Sequence, residues 1–202
     1  MIVCAGNGEY FAFAKSIGIG LCESTIGLMQ ICMRECIDSI VFVGSAGAYS
    51  KDINIGDVCI ADSATQIEIA FLDGKAYTPL DNHIESNTLG ENDYVSRETL
   101  NRYKKVIVNS SNYITTDGHI ALAFANAGIA LENMEFFAVM RVAQYFEIPC
   151  VGVFAVSNYC HQNAHKEFMQ NHNTIKQKLL EHSSFIENLS LALGNKTKGK
   201  HI

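Results

Sequence analysis

The sequence predicts a three-layer α/β/α sandwich with a central mixed, largely parallel sheet, and three observations carry that prediction. Short apolar runs of strand length alternate with amphipathic stretches of helix length. One run, from Cys150 to Val156, is apolar throughout and bounded by turn signals, the pattern of a strand buried on both faces. The chain's 202 residues, 48% hydrophobic and 18% charged, are the size of one α/β domain with a filled core. Residues 1–195 are expected to form that domain, and residues 196–202, with Lys196, Lys198 and Lys200, a solvated basic tail.

The elements follow in order. A strand over Ile2–Ala5 runs into Gly6-Asn7-Gly8-Glu9, and a second apolar stretch ends at Gly18-Ile19-Gly20. A helix over Leu21–Cys36 places Glu23, Gln30 and Arg34 outward at helical spacing, with Leu21, Leu28, Met29, Cys32 and Cys36 inward. A strand over Ile40–Val43 leads into a turn, Gly44-Ser45-Ala46-Gly47, and further strands lie around Asp57–Ser63 and Lys105–Asn109. Asp73–Glu91 is polar and rich in turn signals, which reads as a mobile excursion. Helices are expected over Ser96–Tyr103, Asp117–Asn126, Met134–Phe146, where Pro149 enforces the stop, and Ala164–Leu193.

Charge and cysteine usage exclude several classes. A net charge of −6 and a pI near 5.6 leave no basic patch for nucleic acid. No apolar stretch is long enough to span a bilayer, so no membrane partner is expected and the location reads as cytoplasmic. Seven scattered cysteines without a C-x-x-C pair read as buried free thiols. Cys160, His161 and His165 lie close together, but the stretch lacks a zinc-protease glutamate, and no metal is expected.

The most informative segment is Leu131-Glu132-Asn133-Met134-Glu135-Phe136-Phe137. On a helical wheel Glu135 shares the apolar face with Ala138, Val139, Val142 and Phe146, opposite Gln144. Burying an unpaired carboxylate costs on the order of 3 kcal/mol or more. Two explanations stand at this point: a first-turn carboxylate serving its own helix dipole, or a ligand-holding carboxylate. Ser157 and Asn158 lie at the carboxyl end of the buried strand, where ligands of such sheets sit. Gly6, Asn7 and Gly8 form a turn whose backbone N–H groups can approach an anion, and Gly44 and Ser45 open a second. The third glycine of a dinucleotide fingerprint is missing, and Ser45 has no nucleophile elbow around it.

Five motifs in order, Gly18-Ile19-Gly20, Val43-Gly44-Ser45-Ala46-Gly47, Ile55-Gly56-Asp57-Val58, Asn133-Met134-Glu135 and Val156-Ser157-Asn158, resemble the landmarks of the nucleoside phosphorylase superfamily over about residues 1–170. The chain looks closest to a short bacterial purine nucleoside phosphorylase; relatives include methylthioadenosine/S-adenosylhomocysteine nucleosidases. The resemblance implies that Glu135 holds the ribose 2′- and 3′-hydroxyls and that Met134 packs under the sugar. It places Tyr113 where relatives stack an aromatic on the purine and Ile114 at the base edge, with Asn133, Ser157 and His165 among the substrate contacts. Gly6, Asn7, Gly8, Gly44 and Ser45 would bind phosphate or position water. Asn158 stands where many relatives have the aspartate that protonates the purine, and matches the branch acting on 6-oxopurines. Two departures stand out: Phe42 occupies the place of a phosphate-binding arginine, and Asn133 replaces the glutamate opening the Glu-Met-Glu motif.

The resemblance implies phosphorolysis of inosine or guanosine to free base and ribose 1-phosphate, with phosphate as co-substrate and no cofactor. One alternative is hydrolysis of the methylthioadenosine/S-adenosylhomocysteine or futalosine type, with a water activated by Glu9. Another is a catalytically silent nucleoside-binding protein. A homo-oligomer is expected, in which His161, His165 or the segment 73–91 reaches across to a neighbour.

Overall fold

The computed structural model describes residues 1–89 and 97–198. Among them, eight strands join in one sheet: β1 (Ile2–Cys4), β2 (Lys15–Ser16), β3 (Ile40–Ala48), β4 (Val58–Thr65), β5 (His83–Glu85), β6 (Lys104–Ser110), β7 (Leu131–Asn133) and β8 (Cys150–Tyr159). The helices are α1 (Gly20–Cys32), α2 (Ile69–Leu72), α3 (Arg97–Leu100), α4 (Gly118–Asn126), α5 (Phe136–Tyr145), α6 (Ala164–Glu181) and α7 (Ser183–Lys198). None is long and apolar enough to cross a membrane.

The sheet is mixed and largely parallel, as the alternation of elements predicts. Strand pairs β1–β2, β1–β3, β3–β8, β4–β6 and β6–β7 are parallel, while β3–β7, β4–β5 and β4–β8 are antiparallel. It also closes on itself, because β3, β8, β4, β6 and β7 pair in a ring. Period-two alternation along β3 builds two cores at once. Phe42 joins Leu28 of α1 and Phe136, Val139 and Met140 of α5 on one side, and Val41 and Val43 join Ile175 and Leu179 of α6 and Ile186 and Leu189 of α7 on the other. A smaller cluster under α4 stacks Tyr49 on Phe124 with ring centroids 4.4 Å apart.

Several expectations are corrected. Gly44-Ser45-Ala46-Gly47 is not a turn: β3 continues through it, pairing with β8 along its length and bulging only between Ala46 and Gly47. Ser157 and Asn158 likewise lie within β8. The segment 73–89 contains β5, hidden from a hydropathy reading because only Ile84 of its three residues is buried; Gly90 and Glu91 lie outside the described residues. Helix α1 stops at Cys32, leaving Cys36 exposed, and the helix expected over Ser96–Tyr103 is the short α3. The last helix is two, broken at His182, and α7 runs on through Lys198 rather than giving way to a tail at residue 196. Cys4, Cys59, Cys150 and Cys160 are buried free thiols as expected, but Cys22 is also exposed.

Candidate active site

The motif residues converge on a pocket of about 320 Å³ at the carboxyl ends of β1, β3 and β8, closed on another side by the first turns of α6. A hollow of about 450 Å³ between β4, β5 and β6, bordered by Asp52, His83 and Lys104, contains none of them. The smaller pocket is therefore the candidate site.

Helix α5 begins at Phe136, two residues later than expected, so Glu135 sits at its N-cap, and its side chain does not cap that helix. Asn133 takes over the role: its Oδ1 accepts from the N–H groups of Glu135 and Phe136, both at 2.9 Å, and its Nδ2 donates to Ser45 O at 3.2 Å. Glu135 is thereby free to turn away and accept, at 2.9 Å, from Gly20 N–H at the start of α1. The carboxylate thus answers another helix's N-terminus, which sets aside the reading in which it serves its own. It is only 4% exposed, and desolvation raises its pKa to about 7, opposed by the Gly20 N–H and reinforced by the charge of Glu9.

Glu9 reaches across to β3. Its carboxylate accepts from Ser45 N–H, at 3.2 and 3.3 Å, and from Ser45 Oγ. The glycine at Gly44 makes room for this, since a Cβ there would lie 3.3 Å from Glu9 Oε2 and 3.0 Å from the Phe42 ring. At the opposite end, Ser157 Oγ lies 2.8 Å from Asn158 Oδ1 and 3.2 Å from Ala46 O, with one proton to give, and Asn158 Nδ2 donates to Tyr159 O at 3.2 Å.

Gly6, Asn7, Glu9, Ser45, Asn133, Met134, Glu135, Ser157, Asn158, Ile114 and His165 all line the pocket. Tyr113, Gly8 and Gly44 do not. Tyr113 is 74% exposed and borders a separate hollow of about 210 Å³, while its neighbour Ile114 borders the pocket. Gly8 turns its carbonyl to Lys176 Nζ at 3.1 Å. Phe42 is fully buried, its ring 6.0 Å from Phe136 and 5.7 Å from Phe154, so the expected arginine's place belongs to the core.

Sequence reasoning missed Ile19, Glu132, Ala164, Phe168 and His172. The spacing Ala164, His165, Phe168, His172 is one face of a helix, a signal legible only once that face is known to meet the pocket. Glu132 alternates with Leu131 and Asn133 along β7, which reads as a strand only with its partners in view. Among the described residues no lysine or arginine lines the pocket; its acidic side chains are Glu9, Glu132 and Glu135, with His165 and His172 also in the lining.

A closed mixed sheet under two helical layers, with carboxylates and a carboxamide gathered at its strand ends, defines an α/β fold with a polar pocket among the motif residues. The chain belongs to the phosphorylase superfamily, whose family model matches residues 2–186. Among solved structures it is similar to a Helicobacter pylori methylthioadenosine nucleosidase carrying an aspartate-to-asparagine mutation, with 5′-methylthioadenosine in the active site: 16% identity, TM-score 0.74, covering 93% of this chain and 96% of that one. Futalosine hydrolase from H. pylori matches at 18% identity and TM-score 0.73 over 93% and 95% of the two chains. A Streptococcus pneumoniae methylthioadenosine/S-adenosylhomocysteine nucleosidase, bound to a transition-state inhibitor, matches at 17% and 0.72 over 95% and 97%. At these identities the likeness is one of fold.

Proposed function

We propose that this enzyme is a purine nucleosidase, cleaving the N-glycosidic bond of a 6-oxopurine nucleoside with water as acceptor. The observation that carries the choice of water is the Glu9 carboxylate seated on Ser45 N–H and Oγ. These are the donors an anionic acceptor would need, and an internal anion already holds them. Phosphate would also enter beside Glu135 with no lysine or arginine among the described lining residues, and like charges at 4 Å repel by about 4 kcal/mol at an effective dielectric constant near 20. This reverses the preference for phosphorolysis drawn from the resemblance. The similar folds described above, two nucleosidases and a hydrolase, support the same direction.

In this reading Glu9 takes a proton from the attacking water, and Glu135 accepts from the ribose hydroxyls. The two carboxylates face the positive charge that develops on the sugar as the base departs, so they bind the transition state better than the ground state. Asn158 offers its amide to the base, consistent with a preference for inosine or guanosine over adenosine. Incubation with inosine in phosphate-free buffer tests the assignment: hypoxanthine and free ribose are expected at a rate that added phosphate leaves unchanged. Base release that requires phosphate and yields ribose 1-phosphate would return the chain to the phosphorylases, and binding without turnover would make it a nucleoside-binding protein.

A further inference from the structure

A purine leaves as an electron-rich base and needs a proton, yet the amide of Asn158 has none to give near neutral pH. The sheet brings a second group to the same end of the pocket. Gly47 of β3 is the register partner of Glu132 on β7 and of Asn158 on β8. Cross-strand partners project from the same face, so Glu132 and Asn158 flank a residue that has no side chain. The space has to stay empty: a Cβ at Gly47 would lie 2.9 Å from Cys160 Sγ and 3.0 Å from Asn158 Nδ2. Both flanking residues line the pocket, and Glu132 also borders the neighbouring hollow lined by Tyr113 and Thr115.

The surroundings of Glu132 suit a carboxyl group that holds a proton. It is 6% exposed and has no cationic partner among its contacts. Oε2 accepts from the hydroxyls of Tyr49, at 3.0 Å, and Thr115. Oε1 accepts from Thr115 N–H at 2.9 Å and makes only a long 3.8 Å contact with the Cys160 thiol, which leaves it room for a proton. Burial pushes the Glu132 pKa upward against the Thr115 and Tyr49 hydrogen bonds, and burial also raises Tyr49 and Cys160, which stay neutral. The other titratable groups facing this space, Glu9, Glu135, His165 and His172, lie elsewhere in the lining.

We infer that Glu132 is the proton donor to the leaving purine, working opposite Asn158 across Gly47. The inference rests on the nucleosidase reading. As the C–N bond breaks, its electron pair passes to the purine, and the Glu132 proton moves to a purine nitrogen. The water oxygen bonds to the sugar carbon and gives its proton to Glu9, and exchange with solvent then reprotonates Glu132 and clears Glu9.

A leaving group that needs no proton separates this role from a structural one. Wild type and Glu132→Gln are compared on inosine and on p-nitrophenyl β-D-riboside, whose nitrophenolate departs unprotonated. On inosine the variant is expected to lose at least about 100-fold in kcat with KM little changed, and on the nitrophenyl riboside to stay within about threefold of wild type. Equal losses on both substrates, or none on inosine, overturn the inference while leaving the nucleosidase reading in place; a wild type inactive on every nucleoside overturns both. If the variant does not fold, the wild-type pH profile decides. kcat on inosine must fall at alkaline pH where kcat on the nitrophenyl riboside does not, and parallel profiles overturn the inference.

Discussion

Replacing Glu135 with glutamine should make the protein more stable and far less active, and the size of each effect follows from where the carboxylate sits. Its pKa is raised from 4.5 to about 7, chiefly by burial. The folded protein therefore keeps a proton that the unfolded chain has already lost between those values. For a raised acid, the stabilisation is fully present below pH 4.5 and is lost as pH rises through 7. A shift of this size corresponds to about 3 kcal/mol of native-state cost at pH 8. Glutamine keeps the shape and an oxygen for the Gly20 N–H without the charge, so Glu135→Gln should unfold several degrees above wild type at pH 8 and close to it at pH 4.5. In activity the forecast runs the other way. Two charge-assisted bonds to ribose hydroxyls, each worth about 1.5 to 3 kcal/mol, predict a loss in kcat/KM of roughly two to four orders of magnitude. Thermal melts at the two pH values and kcat/KM on inosine are the measurements. A variant that melts below wild type at pH 8 would refute the burial argument, and one that keeps normal kcat/KM would refute the ribose assignment.

The wild-type kcat/KM should fall below a pH near 7 as Glu135 takes up its proton and loses a hydroxyl acceptor; a profile flat from pH 5 to 8 would show that the ionised form is not required. Glu9→Gln should lower kcat on inosine by roughly 10²- to 10⁴-fold, because an amide can keep the Ser45 contacts but cannot take a proton from water, and near-normal kcat would remove Glu9 as the base. Phe42→Ala should cost about 3 to 5 kcal/mol in chemical denaturation, since it empties a site packed between Phe136 and Phe154, and a cost below 1 kcal/mol would contradict that packing. Tyr113→Ala should change kcat/KM by less than about threefold, because the ring lies outside the pocket, and a tenfold rise in KM would restore it as the stacking residue.

What the sequence disclosed and what it withheld divide along the range of the forces involved. The run Cys150–Val156 announced a strand buried on both faces because every residue in it faces a core, and Asn158 followed from its place behind that run. Glu135 was visible as a charge among apolar neighbours, although its partner, Gly20, is 115 residues away and no local pattern names it. Gly44 to Gly47 misled for a physical reason. Glycine clusters are ordinarily turns, but here the β8 ladder along the whole segment, joined by β7 at Gly47, holds it extended, and the missing side chains leave space for Glu9, Phe42 and the pocket. The closure of the sheet and the break at His182 were equally out of reach: the first is made of long-range pairings, and the second has no glycine or proline to mark it.

The same alternation explains how a pocket with three acidic side chains, and no lysine or arginine among its described residues, is held together. Three functional side chains stand next to a wholly buried apolar one in the chain: Leu131 beside Glu132, Phe136 beside Glu135, and Val156 beside Ser157. A strand sends successive residues to opposite faces, so one backbone segment fixes the core and aims the polar group together. Burying each of those apolar side chains contributes about 1.5 to 3 kcal/mol, comparable to the desolvation cost implied for Glu135. Glu135 can therefore stay buried and poorly solvated, the state in which it acts most strongly on a charge developing in the pocket, because its neighbours in sequence hold the backbone in place. It follows that shortening an anchor such as Phe136 should disturb the position of Glu135 as well as the stability of the core, whereas shortening an apolar residue remote from the motifs should lower stability alone.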